Sequence, residues 1–155
     1  MKIRKANLDE INDIYMMGFD VWSDGMTKES YIDSCSNSPK YKEGTWWLIL
    51  NEQDVVASSL IVYKFDEFIY GVGSIATPAN MRSNGYASEL LKQICSHLEQ
   101  TLKATAIYLY SDIKPEFYEK CGFIKLDKSS QKYEPSICML RSSTSSESLT
   151  PPKYF

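Results

Sequence analysis

The sequence of 155 residues has little of what several protein classes need. It has one histidine and four widely separated cysteines, with no Cys-x-x-Cys pair. A metal site is therefore not expected, and four free thiols suit a reducing compartment. Lysine and arginine number 17 against 20 acidic residues, a formal net charge of −3. No basic excess is present to drive nucleic-acid binding, so no nucleic-acid partner is expected.

Long apolar runs are also missing. No stretch approaches the roughly twenty apolar residues of a membrane-spanning helix. The chain turns polar after Ala6, where the apolar part of a signal peptide would begin. These two absences predict a cytoplasmic protein with no membrane partner.

The length suits a single domain with its own hydrophobic core. We assign residues 1–141 to this domain. Residues 142–155 are rich in Ser, Thr and Pro and are expected to form a mobile C-terminal tail, unless Tyr154 and Phe155 pack against the domain.

The most informative stretch is the turn between an apolar strand and an amphipathic helix at Thr77–Ala87. It contains Arg82-x-x-Gly85-x-Ala87, a run of small or backbone-permissive residues where the helix begins. A helix N-terminus leaves backbone N–H groups without partners and carries the positive end of the helix dipole, which suits a diphosphate. A bulky side chain at position 85 would keep phosphate oxygens away from the backbone. The turn therefore predicts a site for a nucleotide-like cofactor.

Hydrophobic periodicity places this turn in a mixed α/β pattern. Asn7, followed three residues later by Glu10, predicts a capped first helix whose buried stripe includes Leu8 and Ile14. A helix starting near residue 86 joins two strands that are therefore expected to be parallel. Apolar, β-rich runs predict seven strands, at residues 3–6, 46–50, 55–63, 68–77, 106–110, 123–126 and 137–141.

Three segments together resemble the GNAT superfamily of acetyl-CoA-dependent N-acetyltransferases. They are Ile75-Ala76-Thr77-Pro78, then Met81 to Ala87, and then Phe117-Tyr118-Glu119-Lys120-Cys121-Gly122-Phe123. The order of predicted strands and helices over residues 3–141 is similar as well. The resemblance implies a mixed, mostly antiparallel, twisted sheet of six to seven strands with helices on both faces.

The resemblance also implies how acetyl-CoA would bind. The backbone amides of the glycine turn would wrap the diphosphate of coenzyme A. The residues of this turn are Arg82, Ser83, Asn84, Gly85, Tyr86 and Ala87. The main chain of Ile75, Ala76 and Thr77 would pair with the pantetheine arm as an added strand does. A backbone N–H near Ala76 or Thr77 would polarise the thioester carbonyl.

The expected catalytic residues are Tyr118 and Glu67. Tyr118 would protonate the departing thiolate as general acid, because a phenol with a pKa of about 10 is protonated at neutral pH. The alternative is that Tyr118 is a packed aromatic residue. Glu67, at the start of the strand that leads to the thioester, is the candidate base acting through water. Asp20 and Asp24, after the first helix, could attract a cationic acceptor.

The function that the sequence predicts is acetyl transfer from acetyl-CoA to a primary amine by direct attack. The acceptor partner is a small amine or amino-acid metabolite, or a protein lysine or N-terminus. A noncatalytic acyl-CoA-binding sensor of the same fold is the alternative. An ATP-binding protein ranks below both, because the turn lacks the Gly-Lys-Ser/Thr ending of a phosphate-binding loop. By analogy with such families, a homodimer is also open.

Overall fold

The computed structural model describes residues 1–143 and 149–155. The strands and helices follow the α/β order that the sequence predicts. The strands are β1 (Lys2–Lys5), β2 (Thr45–Leu50), β3 (Val56–Lys64), β4 (Ile69–Ala76), β5 (Ala106–Ser111), β6 (Ile124–Lys125) and β7 (Ile137–Ser142). The α-helices are α1 (Ile11–Met16), α2 (Phe19–Trp22), α3 (Lys28–Ser36), α4 (Pro39–Glu43), α5 (Tyr86–Gln100) and α6 (Glu116–Glu119).

Within the described residues the strands form one seven-stranded sheet in the order β1-β2-β3-β4-β5-β7-β6. The β1–β2, β2–β3, β5–β7 and β6–β7 pairs are antiparallel, whereas β4 and β5 are parallel. The parallel pair follows from the crossover through α5, since a helix between neighbouring strands reverses the chain direction twice. The predicted mixed, mostly antiparallel sheet is confirmed.

The chain consists of two compact units. The first comprises Met1–Val62 and Ser74–Leu90, and the second comprises Tyr63–Gly73 and Leu91–Phe155. In the first unit the fully buried side chains are mainly those of β2 and β3, such as Leu48, Ile49 and Leu60. In the second unit Leu98 of α5 and Tyr108 of β5 are buried to at least 98 %. Each unit thus has an apolar interior of its own.

The first helix starts as predicted but buries a different set of residues. The backbone N–H of Asn7 donates to Glu10 Oε2 at 2.8 Å, the reciprocal half of a capping box. Glu10 also accepts two hydrogen bonds from Arg4, at 2.7 and 2.8 Å. Ile14 is buried as expected, but Leu8 is 93 % exposed. The prediction for Leu8 is wrong because a 3-10 turn over Leu8–Glu10 precedes α1 and shifts the side-chain periodicity.

For residues 149–155 the structure shows the alternative that the sequence left open, in which the end of the chain packs against the domain. Strand β7 already includes Ser142, and the ring of Phe155 packs against Tyr63, Phe65 and Tyr110 with centroids 4.9–5.5 Å apart. The Tyr110 hydroxyl donates to the Pro152 carbonyl at 2.6 Å. The remaining tail residues, 144–148, lie outside the described residues. Aromatic packing outweighs the polar composition from which mobility was inferred.

Candidate functional site

The glycine turn before α5 exposes a series of backbone N–H groups. Ser83 and Gly85 have φ of +65° and +81°, so the chain curls twice into the left-handed region just before the helix. No acceptor among the described residues meets the backbone N–H groups of residues 83–88. Such a run of free amides at the positive end of a 15-residue helix suits a diphosphate.

Gly85 meets two requirements of a diphosphate-binding turn, a left-handed backbone and open space beside it. Its positive φ is a conformation that favours glycine, and a Cβ built on it would have no other atom within 4 Å. The space above it is therefore open to a ligand. Its carbonyl accepts from Glu89 N at 3.0 Å and Ser88 Oγ at 2.9 Å, which anchors the turn to the first turn of α5.

The side chains of the turn hold its shape and leave its amides exposed. Asn84 donates through Nδ2 to the carbonyls of Met81 and Arg82 at 3.0 and 3.1 Å. Arg82 donates through Nε to the Thr77 carbonyl at 2.9 Å, and its other two nitrogens form a bidentate pair with Asp20 at 2.7 and 2.8 Å. The hydrogen bond from Arg82 lowers the pKa of Asp20. Asp20 is thus an internal partner of Arg82 rather than the free acceptor-binding acid that the sequence suggested.

The end of β4 is fixed by a buried serine. Ser58 Oγ, fully buried, donates to the Ala76 carbonyl at 2.8 Å and lies 3.0 Å from Thr77 Oγ1. Because Ser58 has a single hydroxyl hydrogen, Thr77 donates in the second contact. In a trans peptide the N–H points opposite to the preceding C=O. Ser58 therefore also fixes the direction of the Thr77 N–H, the group predicted to polarise the thioester.

Strand β4 is irregular near this end. Ser74 has φ of +46°, in the left-handed region where non-glycine residues are uncommon. The parallel register between β4 and β5 covers Ile69–Gly71 and Ala106–Tyr108, and both strands run on beyond it. A left-handed residue within a strand is typical of a bulge.

Tyr118 lies in α6, in the second unit. Burial, together with the charge of Asp112 and the Cys121 thiol, raises its pKa to about 12. Its hydroxyl has no hydrogen-bond partner among the described residues. The helix ends at Gly122, whose φ of +88° allows the Phe123 N–H to return to the Tyr118 carbonyl at 3.2 Å. The phenol is therefore held in its protonated form.

The cysteines are buried and lie outside the glycine turn. All four are free thiols in the described structure. Burial raises the pKa of the Cys121 thiol, and it raises that of Cys95 to about 12. Since the thiolate is the nucleophile, neither residue is suited to covalent catalysis. Among the described residues, no group of three or more His, Cys, Asp or Glu side chains could hold a metal ion.

The position of Glu67 does not add support to its predicted role as base. It lies exposed in the turn before β4, and its backbone N–H binds the side chain of Asp66 at 2.5 Å. The strand begins at Ile69 and ends at Ala76, so Glu67 is at the opposite end from the thioester-binding residues. Its role as base stays a prediction.

A cavity of about 640 Å³ lies in the first unit beside the glycine turn. Its walls are mostly apolar and come from α1, α2, β2, β3 and the Pro78–Ala79 segment. Asp20 lines the cavity and also pairs with Arg82, which links the cavity to the turn. No local sequence pattern predicts this cavity, because its walls come from segments far apart in the chain.

Comparison with known proteins places this fold and this turn in one family. A profile of the acetyltransferase (GNAT) family matches residues 8–123, which include both the glycine turn and Tyr118. This chain belongs to the GNAT acetyltransferase family. Its members transfer acetyl groups and generally use acetyl-CoA.

Solved structures of the family share the fold at low sequence identity. The GCN5 protein of Tetrahymena is 16 % identical with a TM-score of 0.67, over 92 % of this chain and 96 % of that one. A spermidine N-acetyltransferase mutant of Vibrio cholerae is 10 % identical with a TM-score of 0.68, over 92 % and 95 %. A GNAT acetyltransferase of Staphylococcus aureus is 13 % identical with a TM-score of 0.67, over 91 % and 98 %. No curated protein matches the sequence.

None of the helices among the described residues could span a membrane. In the part of the chain that the structure describes, every helix is too short or too polar to cross a bilayer.

Proposed function

We propose that this protein transfers the acetyl group of acetyl-CoA to a primary amine. The observation that carries the proposal is the run of acceptor-free backbone amides at residues 83–88, centred on a left-handed Gly85 with open space above it. In this proposal the amides of Arg82 to Ala87 bind the diphosphate. The backbone of Ile75, Ala76 and Thr77 pairs with the pantetheine arm.

The reaction needs neither a protein nucleophile nor a metal. The neutral amine attacks the thioester carbonyl carbon, and the carbonyl oxygen becomes negatively charged as the carbon turns tetrahedral. The Thr77 N–H, held in direction by Ser58, donates to this oxygen. When the carbon–sulfur bond breaks, the Tyr118 hydroxyl gives its proton to the leaving sulfur. The nitrogen loses its extra proton to water, and Tyr118 regains a proton from water, so the net products are an amide and free CoA thiol.

The raised pKa of Tyr118 keeps its hydroxyl protonated, which a general acid requires. A phenol with a pKa of about 12 is protonated at any physiological pH and is available to donate. A thiolate formed beside it would be a stronger base in a poorly solvated site than in water, which favours the transfer.

The acceptor is proposed only as a class. One structural neighbour is a spermidine N-acetyltransferase, which suggests a small polyamine as one acceptor to test. Amino-acid metabolites, protein lysines and N-termini belong in the same screen. A neighbouring spermidine N-acetyltransferase is described as dodecameric, and we include self-association, at least to a dimer, in the proposal.

The alternative is a sensor that binds acyl-CoA without turnover. Binding alone does not need a proton donor beside the sulfur, so the buried, protonated Tyr118 favours the enzyme. Cytoplasmic location is proposed together with either function, since acetyl-CoA is the ligand in both.

The deciding experiment measures release of free CoA thiol from acetyl-CoA with a panel of amines. Turnover with at least one amine supports the enzyme. Binding of acetyl-CoA by calorimetry without thiol release supports the sensor, and the absence of binding rejects both.

Tyr118→Phe removes only the hydroxyl; we expect turnover to fall by about 10²-fold or more with acetyl-CoA affinity nearly unchanged. Wild-type turnover in this variant would remove Tyr118 as the acid.

A further inference from the structure

The second unit carries an acidic and aromatic surface that the proposed chemistry does not use. Asp112 directly follows β5, and its carboxylate accepts from the Ser136 hydroxyl and from the Tyr154 hydroxyl, the latter at 3.2 Å. Tyr154 belongs to the segment 149–155 that packs against this unit. Three parts of the chain that are distant in sequence therefore converge on one carboxylate.

The Asp112 carboxylate can accept further hydrogen bonds. Its two hydrogen bonds go to different oxygens, and an ionised carboxylate has about four acceptor positions. Asp112 is exposed, and among residues 1–143 and 149–155 it forms no salt bridge, although Lys114 is two residues further along the chain and Lys153 directly precedes Tyr154. An uncompensated negative charge at this position can bind a cation.

Aromatic rings flank the carboxylate. The rings of Tyr110, Tyr133 and Tyr154 are mutually inclined by 48–90°, with centroids 5.1–5.9 Å apart. At these distances the rings touch, so no group enters between them. Tyr133 and Tyr154 are 37 % and 45 % exposed, however, and an ammonium over an exposed ring face gains cation–π attraction.

We propose that Asp112, with the exposed rings of Tyr154 and Tyr133, binds a second ammonium group of the amine acceptor. This inference rests on the proposed function. The amine that attacks must be neutral, so a nitrogen held as an ammonium on a carboxylate is not the nitrogen that reacts. The acceptor class is therefore a molecule with two amines, one acetylated and the other bound here as a cation.

The position of the carboxylate relative to the proposed acid supports this assignment. The charge of Asp112 contributes to the raised pKa of Tyr118, so the two groups interact electrostatically within the second unit. The same charge contributes to the raised pKa of Tyr154. A cation bound at Asp112 would therefore also act electrostatically on the residue that is proposed to protonate the sulfur.

The test compares α,ω-diamines of three to six carbons with the monoamines of the same length. For the wild type we expect kcat/KM to be at least tenfold higher for the best diamine than for its monoamine. Asp112→Asn, which keeps the shape of the side chain but removes the charge, should abolish this preference, so that the ratio of diamine to monoamine kcat/KM falls to about one. Tyr154→Ala should reduce it several-fold.

The matched control is Asp127→Asn. Asp127 is also exposed and also accepts a serine hydroxyl, from Ser129 at 3.0 Å, but it is outside this surface. It should keep the full diamine preference. A preference that survives Asp112→Asn, or one that Asp127→Asn abolishes equally, overturns the inference.

A second measurement separates this inference from the proposed function. Calorimetric binding of the same diamines needs no turnover, and Asp112→Asn should weaken it at least tenfold. If no amine releases CoA thiol but diamine binding depends on Asp112, the proposed function fails and the binding site stands. If thiol is released but the wild type binds diamines no better than monoamines, the binding site fails and the proposed function stands.

Discussion

Gly85 is the single residue on which the proposed cofactor site depends most. Its left-handed φ lets the chain turn into α5, and the missing side chain leaves the adjacent amides open. Both properties are local, and only glycine supplies both without strain. A substitution at Gly85 is therefore the most direct test of diphosphate binding.

We predict that Gly85→Asp lowers acetyl-CoA affinity at least tenfold, because the carboxylate would lie where the diphosphate binds and repel it. The matched control is Gly25→Asp. Gly25 has φ of +79° and likewise nothing within 4 Å of a built Cβ, but it lies in another loop. Both variants should lose about 1–2 kcal/mol of stability from the left-handed backbone, while only the first loses affinity by calorimetry. Equal acetyl-CoA affinity in the two variants would reject the site.

Ser58 and Ser59 of β3 are neighbours with opposite hydrogen-bonding states. Both are fully buried, but Ser58 donates to the Ala76 carbonyl, whereas Ser59 Oγ has no partner among the described residues. At the level of the strand, one serine connects β3 to the end of β4 and the other carries the cost of an unpaired buried hydroxyl.

We predict that Ser58→Ala costs about 1–2 kcal/mol of stability, because it leaves the Ala76 carbonyl and the Thr77 hydroxyl without their partner. The Thr77 N–H is then less well directed, so kcat should fall as well. Ser59→Ala should be neutral or slightly stabilising. Urea unfolding midpoints measure the first effect and thiol release the second; equal midpoints for the two variants would contradict the argument.

The segment 149–155 is a structural element of the second unit. Phe155 contacts three aromatic rings, and a Cβ on Gly71 would lie only 2.6 Å from the Phe155 ring. The absence of a side chain at position 71 thus makes room for the ring.

We predict that Phe155→Ala lowers stability by about 1–2 kcal/mol, since the ring is half-buried and its burial is lost. For a chain of this size the melting temperature should fall by roughly 2–8 °C. Lys153→Ala, an exposed neighbour, serves as the control and should melt with the wild type. An unchanged melting temperature for Phe155→Ala would show that the segment does not contribute to stability.

For the molecule as a whole, buried tyrosines make folding stability sensitive to high pH. Burial raises the pKa of Tyr31, Tyr110 and Tyr118, the last to about 12. Between pH 10 and 12 the folded state retains the phenolic proton of Tyr118 while the unfolded state, with a pKa of about 10, has lost it. The stabilisation is therefore complete below pH 10 and is lost as the pH rises towards 12.

We predict that the free energy of unfolding falls steadily above pH 10, with roughly 2–3 kcal/mol from Tyr118 alone by pH 12. Urea titrations at pH 8, 10 and 11 measure this slope. Tyr118→Phe has no proton to lose, so its slope should be shallower than that of the wild type. Parallel slopes would mean that the phenol is not buried in solution.

Much of the fold was predictable from local pattern. The apolar face of α5 and the apolar, β-rich runs of β2 and β3 determined these elements, and the crossover determined the parallel pair. The glycine turn was predictable because its function depends on backbone conformation, which Gly85 reveals in the sequence. The prediction for Leu8 failed because a 3-10 turn shifts the period, and composition alone left open whether Phe155 packs.

The sequence by itself determined the order of strands and helices along the chain, the helix that follows the turn and the residue types at the turn, because each depends on neighbours a few positions away. Only the tertiary structure decided that Asp20 pairs with Arg82, that Ser58 orients the end of β4, and that Tyr154 and Ser136 meet at Asp112. These partners lie 18 to 62 residues apart. No local periodicity encodes such a pairing, since it arises only when the packing of whole strands and segments brings the groups together.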